Sequence, residues 1–174
     1  MKILTILFLL GLSFQTFSQQ TLILKPGPSE GEDNHIDNQN IYNYWPTREI
    51  FFAYAENDNG QNKVSRSFIR FDLDKIPPGS NIISASLKLY GVSSLWQGGG
   101  HSTESGSNKS ALYRVTGQWD VNSLTWNAQP SVSTIDKVIL EESTSSTQDY
   151  ELDVTSMIKH MYLNDNYGMM LRLD

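Results

Sequence analysis

Short runs of alternating apolar and polar residues, separated by clusters of Gly, Asn, Asp, Ser and Pro, recur along most of this 174-residue chain. In one run, Ile69, Phe71 and Leu73 are assigned to the core side of a strand, because successive strand side chains point to opposite faces. Phe68 and Arg70 are assigned to the other side. Short strands with turn signals between them are typical of a sandwich or barrel. The pattern therefore predicts an all-β, antiparallel fold.

One short helix is predicted near the C-terminus. Met157 and Met161 lie on one helical stripe at i and i+4, and a side-chain oxygen of Asp153 or Thr155 is available to cap the first turn. A last strand is expected over residues 169–173. The predicted fold class is thus an antiparallel β-sandwich of jelly-roll type with one short C-terminal α-helix.

The first 18 residues have the organisation of a secretory signal peptide. Lys2 provides a positive charge, Ile3–Leu12 is an almost unbroken apolar run, and small residues precede a cleavage site before Gln19. The apolar run is shorter than the ~20 residues of a membrane-spanning helix. Residues 19–174 are expected to form a single secreted domain, extracellular or at the cell surface. The chain has no cysteine, so neither disulfides nor a thiolate metal site contributes to it.

Charge and motifs exclude several functional classes. The formal net charge is −6, and no basic stripe is present to release counterions from a nucleic acid. The sequence contains no nucleophile elbow, P-loop or dinucleotide-binding glycine motif. The three histidines, His35, His101 and His160, are not spaced as zinc ligands. An enzyme is therefore not expected, although two carboxylates of a glycosidase would leave no sequence signature.

Several blocks, taken in order, resemble the DNRLRE-domain family, also described as carbohydrate-binding module family 96. They are Ser67–Leu73 with Ile76–Gly79, Ile83–Tyr90, Tyr113–Val115, Trp119–Pro130, and Leu152–Ser156 with Leu171–Leu173. Such modules are secreted β-sandwiches found beside polysaccharide lyases, glycosidases and adhesins. Family members usually continue past the last strand seen here, so the resemblance implies a module that is truncated at its C-terminal strand.

The resemblance implies a non-catalytic module that binds an extracellular polysaccharide, with acidic, alginate-like glycans as the associated class. Neighbouring catalytic or surface-anchoring domains of a longer parent protein are the implied partners. A structural or adhesive surface module without a sugar site is the alternative. A third interpretation is that the protein is a polysaccharide lyase or glycosidase.

The candidate ligand-binding residues are mostly loop aromatics, because recognition residues tend to lie on loops carried by a rigid scaffold. They are Tyr42, Tyr44, Trp45, Trp96 and, on a strand, Arg114. In contrast, the two tryptophans of the Trp119–Pro130 block are interpreted as structural anchors that hold a long connection onto the sandwich.

A calcium site is considered in the oxygen-rich run around Asp33 and Asp37. Calcium takes six to eight oxygen ligands, and carboxylates are common among them. The spacing does not fit an EF-hand loop, and a solvated, turn-forming loop is the competing interpretation. The expected cofactor is therefore none, or a structural calcium ion.

Overall fold

The computed structural model describes residues 19–25, 27, 29–39, 50–92, 100–104 and 106–174, so the predicted signal peptide lies outside the described residues. The described chain forms eight strands and one α-helix. In chain order they are β1 (Gly31–Asp37), β2 (Tyr54–Asp58), β3 (Gln61–Phe71), β4 (Ser86–Leu89), β5 (Ser110–Val115), β6 (Val132–Leu140), β7 (Tyr150–Asp153), α1 (Thr155–Leu163) and β8 (Met169–Leu173).

Six of the strands form one large antiparallel sheet. Its order is β1-β3-β8-β5-β6, and β2 also pairs with β3. The two remaining strands, β4 and β7, form a small second sheet. The predicted all-β antiparallel class with one short helix is confirmed. The division into six and two is less even than in an ideal eight-stranded jelly roll.

One hydrophobic core lies between the large sheet and a layer made of β4, β7 and α1. The large sheet contributes Ile69 and Leu171, the small sheet Leu152, and the helix Met157 and Met161. Both methionines are buried, which confirms the predicted stripe. The helix has nine residues. Within the described ranges, no helix has the length and apolar character needed to cross a bilayer.

A second core covers the opposite face of the large sheet, and here one prediction is wrong. Phe68 lies on the face opposite Ile69, as predicted, but that face was not assigned to the core, and the Phe68 side chain is 0% exposed. It packs with Ile36, Tyr113 and Met170 beneath Trp119, whose ring centre is 5.7 Å from that of Phe68. The assignment fails because a period of two separates the two faces of a strand but does not reveal that both are covered.

The cover is the segment Trp119–Pro130, called here the tryptophan block. Two hydrogen bonds attach it to the rest of the domain. The Trp119 indole Nε1 donates to the Tyr167 carbonyl over 2.7 Å. The side-chain amide of Asn34 donates to the Val121 carbonyl over 2.7 Å. Leu124 and Trp119 are buried and Trp126 is half-buried. The predicted anchoring role of the two tryptophans is confirmed.

Replacing Trp119 by alanine is expected to lower the free energy of unfolding by about 3–5 kcal/mol, as for other buried aromatic residues cut to alanine. Trp126→Ala should cost less, because its ring is only half-buried. Urea denaturation checks both. The control is Tyr90→Ala, at a side chain that is 72% exposed, for which a change within about 0.5 kcal/mol is expected. An unchanged midpoint in Trp119→Ala would contradict the covering role of the block.

A second prediction concerns the entry into β8. Gly168 has φ +75°, and a Cβ there would lie 2.3 Å from the Ile69 carbonyl oxygen. Gly79 has a similar φ of +79° with open space around it. Both Gly→Ala variants incur the same backbone strain, so Gly168→Ala should be the less stable by about 1–3 kcal/mol, the cost of overpacking. Equal melting temperatures would show that β8 adjusts freely against β3.

Candidate functional site

Four of the five predicted ligand-binding residues, Tyr42, Tyr44, Trp45 and Trp96, lie outside the described residues. The fifth, Arg114, lies in β5, where its Nε is 2.6 Å from Asp136 Oδ2. The side chains of this ion pair are only 11% and 9% exposed. Arg114 is paired across the sheet with Met169, a core residue. Its role in ligand binding stays a prediction.

The two predicted calcium ligands lie in a strand rather than in a loop. Asp33 and Asp37 are four residues apart in β1, which separates their Cα atoms by ~13 Å. One Asp37 oxygen accepts a hydrogen bond from the Gln39 amide over 3.0 Å, and burial raises the pKa of Asp33. Among the described residues, no three His, Cys, Asp or Glu side chains are grouped to hold a metal ion. Structural calcium stays a prediction.

A cluster of arginine and aromatic side chains, which was not among the residues predicted from the sequence, lies on the sheet face that carries the tryptophan block. It is called here the arginine–aromatic face and consists of Arg66, Arg172, Tyr113, Trp126 and Gln129. The Arg66 guanidinium lies 4.5 Å from the Trp126 ring centre, and that of Arg172 lies 4.2 Å from the Tyr113 ring centre. Each cation therefore lies on the face of an aromatic ring.

The sheet register brings the two arginines near each other. The β3–β8 ladder ends at the pair Ser67 and Leu171, and Arg66 and Arg172 are the next residues beyond that end, one on each strand. Burial lowers the pKa of Arg66, and the positive charge of Arg172 lowers it further. The two positive charges therefore repel each other.

No carboxylate neutralises this pair within the described part of the chain: neither Arg66 nor Arg172 takes part in an ion pair. Arg66 Nη1 donates a hydrogen bond to Gln129 Oε1. The Arg66 Nε is buried and has no hydrogen-bond acceptor. The face thus holds two positive charges and an unused donor.

The next arginine along β3 has a different environment. Arg70 forms an ion pair with Glu32, and its guanidinium lies 5.0 Å from the Trp119 ring centre. Burial lowers the pKa of Arg70, and the nearby Asp120 carboxylate opposes that shift. Arg70 is therefore balanced by acidic side chains, whereas Arg66 and Arg172 are not.

A guanidinium presents a planar fork of N–H donors that matches a carboxylate or a sulfate. The two guanidinium groups, each stacked on an aromatic ring, are therefore candidate donors to an anionic group. The spacing of Arg66 and Phe68, which places both on one face of a strand, was visible in the sequence, but the lack of an acidic partner was not. That depends on which strands become neighbours.

Comparison with known proteins gives one match. No curated protein and no solved structure matches the chain significantly. The model of carbohydrate-binding module family 96 matches residues 52–173, which include β2 to β8 and the tryptophan block. The match spans most of the chain, so this protein belongs to carbohydrate-binding module family 96.

Proposed function

We propose that this protein is a non-catalytic module that binds an acidic polysaccharide through the arginine–aromatic face. The observation that carries the proposal is the pair Arg66 and Arg172, adjacent and without a carboxylate partner among the described residues. Family membership supports carbohydrate as the ligand, and the pair supports an anionic one. Uronate or sulfate groups of a glycan, as in an alginate-like polymer, have the matching chemistry.

An anionic sugar group offsets the cost of this arrangement. Two neighbouring cations repel each other in the free protein, and a bound carboxylate offsets that repulsion while it accepts charge-assisted hydrogen bonds. The rings of Trp126 and Tyr113 hold the guanidinium groups in place, so less side-chain entropy is lost when the ligand binds.

The biological setting is proposed on the same basis. A single module of this kind binds weakly, and linkage to neighbouring catalytic or surface-anchoring domains raises the effective affinity. Secretion, by way of the predicted signal peptide, would bring the module to extracellular polysaccharides. The loop aromatics Tyr42, Tyr44, Trp45 and Trp96 are proposed to add stacking contacts to sugar rings. A structural calcium ion bound at Asp33 or at Asp37, which lie too far apart along β1 to share one ion, is a further proposal.

One observation favours the alternative of a structural surface module. Arg66 connects β3 with the tryptophan block through Gln129 and Trp126, so its guanidinium also contributes to packing. A variant at Arg172 separates ligand binding from packing better. The Arg172 guanidinium stacks on the Tyr113 ring and forms no hydrogen bond or ion pair with another described side chain.

Arg172→Gln is expected to weaken binding to alginate and polygalacturonate about tenfold or more, since a hydrogen bond to a charged group contributes ~1.5–3 kcal/mol. Affinity electrophoresis of the chain from Gln19 in gels containing each polymer measures this change. The matched control is Lys88→Gln, which removes an exposed positive charge from the small sheet. Added salt should weaken binding of the parent protein, because exposed charges are screened.

Equal retardation of the Arg172→Gln and parent proteins, with both shown to be folded, would contradict the anionic site. No retardation of the parent by any polysaccharide would favour the structural alternative. Release of new chain ends from the polymers would contradict the non-catalytic assignment.

Binding should also fall in Trp45→Ala and Trp96→Ala if these aromatics stack on sugar rings. Thermal melting of the same variants provides the control, because a loss of binding counts only where the melting temperature is unchanged. Full retardation in both variants would remove these two residues from the site.

A further inference from the structure

A third cation shares the Tyr113 ring of the arginine–aromatic face. The Arg172 guanidinium lies 4.2 Å from the centre of this ring, and Lys137 Nζ lies 5.8 Å from it. Lys137 belongs to β6, the strand that pairs with β5. The Tyr113 side chain is only 3% exposed, so its ring is a fixed support. The Lys137 side chain is 36% exposed and is therefore open to a ligand.

The three cations follow one another across the large sheet. The consecutive strands β3, β8, β5 and β6 carry Arg66, Arg172, Tyr113 and Lys137, respectively. Neighbouring strands lie ~4.8 Å apart, so the distance from β3 to β6 is ~14 Å across the sheet. A polysaccharide chain that crosses the strands on this face therefore passes Arg66, Arg172 and Lys137 in turn.

Lys137 differs from the two arginines because it has a carboxylate partner. Its Nζ lies 3.1 Å from Asp174 Oδ1, and the Tyr113 hydroxyl donates to the same oxygen over 3.3 Å. The hydrogen bond between Lys137 and Asp174 raises the pKa of the lysine and lowers the pKa of the aspartate. Exposed ion pairs contribute little to stability, so another carboxylate can replace Asp174 at Lys137 at little cost.

We infer that Lys137 is a third ligand contact, at which an acidic sugar unit takes the place of the Asp174 carboxylate. This inference rests on the proposed function and deepens it. Acidic units along one polysaccharide chain bind Arg66, Arg172 and Lys137, and the chain runs across the strands. The preferred ligand is therefore a polymer whose successive units are acidic, as in an alginate-like glycan.

Asp174→Asn tests the exchange, because asparagine keeps an oxygen for the Tyr113 hydroxyl but leaves the Lys137 charge without a partner. This variant should bind alginate about two- to fivefold more tightly than the parent in affinity electrophoresis, the range of a single exposed ion pair. Lys137→Gln should bind more weakly by a similar factor, and the double variant should bind like the parent.

The matched control is Glu151→Gln. Glu151 is the carboxylate partner of Lys88 on the small sheet, so this variant changes the net charge as Asp174→Asn does but away from the proposed site. It should bind alginate like the parent. Thermal melting of all the variants verifies that each one is folded.

Alginate oligosaccharides of increasing length, used as competitors, test the direction of the polymer. Affinity for the parent should rise with length until the oligosaccharide spans the ~14 Å from β3 to β6. Lys137→Gln should bind the shortest oligosaccharides like the parent and lose affinity only for those that reach β6. An equal loss at every length would overturn the proposed direction.

The outcomes separate this inference from the proposed function. If Arg172→Gln weakens alginate binding while Asp174→Asn and Lys137→Gln bind like the parent, the inference is overturned and the anionic site stands. Equal gains in Glu151→Gln and Asp174→Asn would also overturn it, because net charge alone would then explain the gain. If Arg172→Gln binds like the parent, the proposed function is overturned, and this inference with it.

Discussion

Packing of Trp119 on Phe68 closes the second face of the large sheet. The large sheet is apolar on both faces, and the small sheet with α1 covers only one of them. An antiparallel sheet usually leaves its second face to water. Here the tryptophan block covers that face without forming a strand, and its indole and backbone hydrogen bonds keep it in place. Without it, a sheet face lined by Phe68, Ile36 and Met170 would be exposed.

The same packing organises the charged groups beside it. Each end of the block lays an indole over an arginine of β3: Trp126 over Arg66 and Trp119 over Arg70. Stacked arginines lose little further freedom when they bind a ligand. The segment that stabilises the fold therefore also fixes the positions of the arginines that we propose as ligand contacts.

The net charge of the chain does not describe how charge is distributed around the tryptophan block. The formal net charge of the chain is −6. Positive charge is nevertheless concentrated at the arginine–aromatic face, whereas the carboxylates of Glu32, Asp72 and Asp74 lie near the Trp119 end of the tryptophan block. Charges at neighbouring sites act locally, since salt screens exposed groups beyond about 8 Å at physiological ionic strength. An acidic group of the proposed ligand therefore responds to the charges of the face that it contacts rather than to the net charge of the chain.

Local periodicity and motif order are properties of the amino-acid sequence, so the all-β class, the C-terminal helix with its methionine stripe and the anchoring role of the two tryptophans could be predicted from it. The burial of Phe68, the strand position of Asp33 and Asp37, and the proximity of Arg66 to Arg172 emerge only when the chain folds. Those properties depend on which distant strands become neighbours in the sheet, and pairing between distant strands leaves no local pattern in the sequence.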